Sequence, residues 1–497
     1  MLALTTTDDM RIPPNTFPLY LIAALLAVGC TATDHAVRPD NPVDALRHHI
    51  DAILADSIFI QSDAAVKVVS LETGDILYER NGVRLMRPAS NTKLITSSAA
   101  LGILGTNHEF RTSILADSLL PGGNVHGSLY LKGYGDPDLT VADLDTMIAQ
   151  LKAIGIKAIH GNIVADASWF DDLYWGEGWM WDDEPYSYEA GICALSVNKN
   201  CVKVSIIPGI VPGEGVRVVI DPPTQYVSLL NTARAVADTA LVPLNVTRMY
   251  KERLNTLLVS GEVVTRRDTI HRWVTVWRPE LYAATLLKER LEADSISVRG
   301  QATIGVALPW SRELAYHRRS IDSVLINLNK ESDNLSAENT LKTIAVARGG
   351  VPGSAKYGLF QANAFLSELG IDTTKLWIVD GSGVSHYNLL TADMLVQLLV
   401  AMTKRSEVFG LFYESLPIAG VDGTLEKRMQ GTKAEGNLRA KTGSIGGVSA
   451  LSGYVTTADG ERLVFSMLMQ DFILPSRYYR NAQDAIGALL AGFKRGR

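Results

Sequence analysis

The stretch RPASNTKLITSSAAL, residues 87–101, decides how the chain is read. Its apolar content predicts a buried helix, yet it places Ser90 and Lys93 where core residues belong. On a helix, residues three apart share a face about 5–6 Å apart, so a lysine amine comes within reach of a serine hydroxyl. That is a nucleophile beside a base. Ser196-Val-Asn-Lys199 has the same spacing. It lies in ALSVNKNCVKV, an alternating run that predicts a strand, where side chains three apart face opposite ways. Ser90 falls instead at a predicted helix start, where backbone N–H groups and the helix dipole favour negative charge.

Outward from that stretch, AAVKVVSLETGDILYER (64–80) predicts a hairpin turning at Thr-Gly-Asp, so the serine follows a strand pair. Before it, Val43, Leu46, Ile50, Ile53 and Leu54 recur at helical spacing, with Asp40 or Asn41 as cap and His48 and His49 on the exposed side. Residues 108–305 change texture to short strands with Gly/Pro punctuation and two helices, VADLDTMIAQLKAIG and RPELYAATLLKERLEA. Within it, about 208–272 reads as a smaller strand-rich subdomain. Helices return in LSAENTLKTIAVARG, AKYGLFQANAFLSELG and TADMLVQLLVAMTK, and strands 436–444, 447–457 and 461–471 precede a final helix. The expected fold is α/β and multi-domain: one domain built from residues 31–107 and 306–497, interrupted by an insert at 108–305.

At 497 residues and 47% hydrophobic content, the chain can build more than one core. A net charge of −6 with no Lys/Arg run gives no grip for nucleic acid. No His-Glu-x-x-His or Gly-x-x-x-x-Gly-Lys pattern is present, so no metal or other cofactor is expected. Residues 19–29, LYLIAALLAVG, are too short an apolar run to span a bilayer and read as the core of an export signal covering 1–30, with translation starting at Met10 as the better fit to a basic first region. Cys30 after Gly29 resembles a lipoprotein cleavage site, although Ala27 stands where leucine is usual; ordinary cleavage and release is the alternative. The expected location is extracytoplasmic, with membrane contact only through a lipid on Cys30. Cys193 and Cys201 could pair in an oxidising compartment or stay buried thiols.

Two further elements complete the pattern: Ser332-Asp333-Asn334 in the loop before a helix and Lys441-Thr442-Gly443 at the end of a predicted strand. Together with Ser90-x-x-Lys93 they form the signature of penicillin-recognising serine enzymes. A free lysine has a pKa of about 10.4, so Lys93 needs burial and a neighbouring cation such as Lys441 to act as a base. The chain resembles the D-alanyl-D-alanine carboxypeptidase/endopeptidase family of penicillin-binding proteins, peptidase family S13, the DacB-like group. The 242 positions from Ser90 to Ser332 leave room for the insert that this family carries there. Further likenesses are GYGDPDLT (133–140), GNIVADASWFDD (161–172), GWMWDD (178–183), VDGSGVSHYNLLT (379–391) and GTLEKRMQGT (423–432). YEAGICALSVNKN (188–200) departs from the proline-bearing segment usual in the family.

The resemblance implies a penicillin-binding, β-lactamase-like domain interrupted by the insert, and an acyl-enzyme formed at Ser90. It implies Lys93 as base, Ser332 and Lys441 as proton route to the leaving amine, and Asn334 on both the Lys93 amine and a substrate amide. Amides of Ser90 and Ser444 would form the oxyanion hole, and Thr442, Gly443 and Ser444 would face a substrate carboxylate. Asp166 resembles an acid that leans from the insert to read the stem-peptide diamino acid, and otherwise reads as a turn former. Trp179, Trp181, Asp182 and Asp183 read either as a substrate wall or as buried tryptophans with exposed acids. Gly381 and Gly383 serve backbone geometry in a turn behind the site, and Ser382 lacks the flanking pattern of a nucleophile elbow. The implied partners are peptidoglycan stem peptides and β-lactam antibiotics. The rival readings are a catalytically idle wall-binding scaffold and a β-lactamase, the latter weakened by the missing glutamate-bearing loop.

Overall fold

The computed structural model describes residues 41–120 and 122–496. The expectations for the export signal, Met10 and Cys30 fall outside them. Among the described residues no helix is long and apolar enough to cross a membrane.

One antiparallel sheet organises the residues on either side of the insert. Its strand order is Ile76–Arg80, Asp63–Ser70, Arg462–Gln470, Val448–Thr456, Arg439–Ile445. The hairpin near the start of the described chain thus pairs with strands from its end: Ala65 opposes Leu468 and Val68 opposes Phe465. Both faces are covered, which is why Val448–Thr456 and Arg462–Gln470 are buried along nearly their whole length. On one face lie α1 (Pro42–Leu54), capped by the Asn41 side chain, and the last helix (Arg477–Gly492). Leu46, Ile50, Tyr479, Ile486 and Leu490 there pack on Val66, Val68, Phe465 and Met467. His48 and His49 are exposed, as expected.

The other face carries α2 (Thr92–Leu104), whose residues 92–101 are all buried. A helix apolar on every side needs neighbours all round. It meets the helices that follow the insert, through Leu94, Ala99 and Leu101 against Val324, Ala337, Ile344 and Phe365.

The insert has its own core. Strands Ala302–Ile304, Ile163–Asp166, Leu129–Gly133, Glu109–Ala116 and Arg312–Ser320 form a sheet in that order. Against it pack α3 (Val141–Ala153) and α4 (Pro279–Ala293), burying Leu144, Ile148, Leu287 and Leu291. Arg312–Ser320 pairs with Glu109–Ala116 over its whole length, so this sheet runs beyond residue 305 to Ser320. The strand is mostly polar and half-exposed, with Ala315 alone buried, and it carries little apolar signal. A smaller sheet, Arg217–Asp221, Cys201–Ile207 and Ile270–Thr275, stands with a second three-stranded sheet and one short strand pair between 228 and 264. The chain returns through α5 (Ile321–Lys330) and α6 (Asn334–Ala347).

The expected strand through Ser196 is corrected. Val197 to Cys201 is a tight turn with Asn198, Lys199 and Asn200 all at positive φ, and the strand begins only at Cys201. Asparagine tolerates that left-handed backbone better than most residues, and two of the three are asparagines.

Candidate active site

Ser90 sits in the single turn Ala89–Asn91 that opens α2. The preceding Ala89 holds φ 47°, a left-handed conformation that points to a backbone constrained by its surroundings. Lys93 is fully buried, with Nζ 3.1 Å from Ser90 Oγ. Its other contacts are Asn334 Oδ1 at 2.6 Å and the Ser382 carbonyl at 2.7 Å. Three acceptors therefore match the three protons of the ammonium. When the amine is neutral the first contact reverses, and Ser90 donates to Nζ. Burial pulls the Lys93 pKa down to about 8, against the opposing pull of Asp380, Glu338 and Asp333.

Ser332 is also at positive φ, 59°, just before α6. Asp333 caps that helix by accepting from the Ser336 N–H at 2.7 Å, which leaves Asn334 on the first turn facing Lys93. The amide is oriented by its network: Oδ1 accepts from Lys93, and Nδ2 donates to the Tyr188 carbonyl at 2.6 Å. One N–H of that amide is thus taken by the insert and one is left for another acceptor.

Lys441, fully buried, places Nζ 2.8 Å from Ser332 Oγ and 2.9 Å from the Thr442 carbonyl. Burial and the neighbouring Lys93 push its pKa well below the ordinary range. The two amines are coupled, so a charge on one disfavours a charge on the other. The strand carrying Lys441 is the sheet's edge. Asn91 Nδ2 ties it to the nucleophile's turn through the Lys441 carbonyl at 3.0 Å. A Cβ on Gly443 would lie 2.7 Å from the Pro88 carbonyl oxygen, so glycine is what lets strand and turn approach. Thr442 Oγ1 lies 2.8 Å from Thr424 Oγ1, and Ser444 is exposed two residues on.

Behind Ser90 runs the turn 380–385. Gly383, at φ 86°, abuts the serine's turn so closely that a Cβ there would lie 1.9 Å from the Ala89 carbonyl oxygen. Asp380 binds the Gly383 and Ser385 N–H groups and the Asn388 amide. Gly381 has no positive φ; its added Cβ would crowd Leu341 on α6 at 3.1 Å. Ser382 acts through its carbonyl, on Lys93, and its hydroxyl is buried. Glu338, fully buried, accepts from the Gly381 and Ser382 N–H groups at 2.9 and 2.8 Å. Sequence reasoning passes over Asn91 and Glu338. Glu338 carries the one available signal, an acid four residues after Asn334 on the same helix face.

The insert reaches the site at several points. Trp179 Nε1 donates to Asp380 at 2.9 Å, and Lys342 on α6 binds Asp171 at 2.5 Å. Lys199 pairs with Asp333 at 3.0 Å. Trp181 is 68% exposed beside Tyr250, so it is not one of the buried tryptophans. Asp183 accepts from the Tyr188 hydroxyl at 2.8 Å.

Asp166 is corrected. Its side chain is wholly buried, with Oδ1 on the Ser168 N–H and hydroxyl and Oδ2 on Lys132 and the Ala307 N–H. It closes a turn inside the insert, in keeping with the turn-former reading. Burial opposes its charge, yet the bonds from Ser168, Ala307 and Lys132 hold its pKa below the ordinary value. Cys193 and Cys201 are both buried free thiols. A cavity of about 610 Å³ lies between the insert and the second element, with Asp138, Tyr188, Lys199 and Trp273 on one side and Ser332 and Asn334 on the other.

Comparison with known proteins places this geometry. The model of the D-Ala-D-Ala carboxypeptidase 3 (S13) family matches residues 46–492. A D-alanyl-D-alanine carboxypeptidase of Actinomadura sp. (strain R39) is 38% identical over 465 residues, covering 90% of this chain and 85% of that one. The crystal structure of penicillin binding protein 4 (dacB) from Haemophilus influenzae superposes with a TM-score of 0.80 at 26% identity, covering 89% of this chain and 99% of the other. The same protein complexed with a novel β-lactam gives 0.75 at 25% identity, covering 90% and 99%.

Proposed function

Because the chain belongs to the D-Ala-D-Ala carboxypeptidase 3 (S13) family, we propose a role for each group of its cleft in acyl transfer from a peptidoglycan stem peptide. The chain is a serine-type D-Ala-D-Ala carboxypeptidase that takes β-lactams at the same site. The observation that carries the assignment of roles is the chain of contacts from Ser90 Oγ to Lys93 Nζ to Asn334, with the separate pair Lys441–Ser332 beside it.

Ser90 Oγ attacks the carbonyl carbon of the penultimate D-alanine while neutral Lys93 takes its proton. Charge on the carbonyl oxygen is met by the Ser90 and Ser444 amides, single donors of this kind being worth about 3–4 kcal/mol. The C–N bond then breaks as the proton taken by Lys93 is passed on through Ser332, which Lys441 holds, to the departing amine, so that Lys93 is neutral again. The resulting ester is hydrolysed by water. A β-lactam forms the same ester, with its amine still tethered to the acyl group. Lys441, Thr442 and Ser444 line the edge strand where the terminal carboxylate of the substrate would lie, and Gly443 lets that strand close on the serine. Asn334 Nδ2 retains one N–H for a substrate carbonyl.

A second activity, DD-endopeptidase cleavage of cross-linked stems, is favoured by the cavity beside Ser332. Its volume falls in the range of about 300–1,000 Å³ usual for ligand pockets. A departing D-alanine, with six heavy atoms, needs only about 180 Å³ if each is given a water's share of liquid volume. The surplus suits a leaving strand longer than one residue. The short apolar run before Cys30 supports export and an extracytoplasmic site of action, with lipidation of Cys30 or ordinary cleavage and release as the two outcomes.

Digestion of purified muropeptide monomers and cross-linked dimers with mass detection tests the pair of activities. D-Alanine released from pentapeptide monomers and tetrapeptide monomers released from dimers are the expected products. Intact monomers after prolonged digestion would sink the carboxypeptidase reading, and intact dimers the endopeptidase one.

A further inference from the structure

Glu338 is a buried acid that the acyl-transfer steps leave unused. It lies on α6 one turn beyond Asn334, so both side chains face α2. Asn334 touches Lys93 directly, whereas Glu338 reaches it through one peptide group. Its Oε1 accepts the N–H of Gly381 and of Ser382, and the carbonyl of Ser382 accepts from Lys93 Nζ. Thr96 on α2 holds the Gly381 carbonyl from the other side at 2.6 Å. The 381–382 peptide that presents an acceptor to the base is thus held by one carboxylate and one hydroxyl. Glu338 Oε2 is buried, and the Ser382 side chain is the hydroxyl that faces the carboxylate.

We propose that Glu338 is a positioning residue for the reaction. It clamps the 381–382 peptide so that the Ser382 carbonyl meets the Lys93 amine, and its charge sets the proton affinity of that amine. The inference rests on Lys93 being the base. The other charged groups facing Lys93 are Asp380 in the turn, Asp333 at the start of α6 and Lys441 on the edge strand. Burial and Asp380 raise the Glu338 pKa to about 7, which leaves it ionised where Lys93 titrates. An ionised carboxylate favours the ammonium form of Lys93, so removing the charge lowers the pH at which Lys93 becomes a free base.

The test measures the acylation rate constant and apparent affinity with a fluorescent penicillin across pH, in wild type, Glu338→Gln and Glu338→Ala, with Ser90→Ala as the unlabelled control. Glu338→Gln keeps an acceptor for the two N–H groups and loses the charge. It should retain the plateau rate within about threefold and move the acid limb to lower pH by about half a unit or more. Glu338→Ala loses the clamp and should cut the plateau rate at least about tenfold, with affinity for the penicillin within about twofold. A smaller fall in Glu338→Ala, or an acid limb in Glu338→Gln that stays in place, overturns the proposal. Should Glu338→Ala fail to show a cooperative thermal transition, the limb of Glu338→Gln decides alone. A wild-type chain that takes no label overturns the assignment of Ser90 and Lys93 itself, and that control separates the two failures.

Discussion

The chain contains the same two letters at the same spacing twice, and the two places behave as opposites. At Ser90 and Lys93 the backbone is helical, and the amine lies 3.1 Å from the hydroxyl. At Ser196 and Lys199 the backbone turns left-handed between the two residues. Ser196 donates to the Cys193 carbonyl at 2.9 Å, and Lys199 leaves it for Asp333 and Asn327. Electrostatics diverge as well. Burial dominates at Lys93 and brings its pKa to about 8. At Lys199 burial is outweighed by Asp333 together with Asp138 and Glu331, and the pKa is raised. The same spacing therefore brings an amine to a hydroxyl only where a helix aligns the two, and burial then lowers that amine's hold on its proton. The second lysine still serves the site, since it steadies the aspartate that caps α6.

The sharpest way to break this contrast is to remove each hydroxyl. Ser90→Ala should lower acylation by a fluorescent penicillin by about 10⁴-fold or more, read as loss of the label on a denaturing gel. Ser196→Ala should label within about twofold of wild type. Equal losses from the two would undo the distinction. Removing each amine comes next. Lys93→Met should cost about 10²–10⁴-fold in acylation rate, the usual worth of a general base.

The pH profile sharpens the comparison further. Lys93 must lose its proton to accept one from Ser90, so acylation should rise as pH climbs through about 8 and fall about tenfold per unit on the acid side. Stopped-flow acylation between pH 5 and 9 checks this, and a rate still climbing about tenfold per unit at pH 9 would mean that the amine is not depressed. The smallest effect belongs to Lys199→Met. Its partly exposed ion pair is worth about 0–1 kcal/mol, so the rate should change by no more than about fivefold. With Asp333 left uncompensated, its pull on Lys93 grows, and the acid limb should move slightly to higher pH. Movement to lower pH would contradict the linkage from Lys199 through Asp333 to Lys93.

Much of this was legible in the sequence. The hairpin 63–80, α2, α6 and the closing strands carry strong period-two or helical signals, because each buries one or both faces against the central sheet. The three triplets that meet in the cleft were legible because each sits at a point where an element begins or forms an edge. Asp166 was not, since nothing local to IVADAS says which way the insert turns its strand end, and the Lys132 that captures it comes from a neighbouring strand 34 positions away. The turn at 198–200 hid behind apolar alternation, although its two asparagines were a signal for left-handed backbone. Ile321, Val324, Leu325 and Leu328 mark α5 at helical spacing, a helix that the sequence reading leaves unmarked. Glu338 was visible only as a spacing from Asn334, since its partners are backbone groups some 43 and 44 positions on.

The central claim is that a buried amine activates Ser90 and no other hydroxyl. Incubation with a slowly hydrolysed β-lactam, proteolysis and mass mapping of the adduct tests it most directly. One equivalent of drug on the peptide carrying Ser90, and none in Ser90→Ala, is the predicted result. An adduct on Ser196, Ser332 or Ser382, or an adduct that persists in Ser90→Ala, would contradict it.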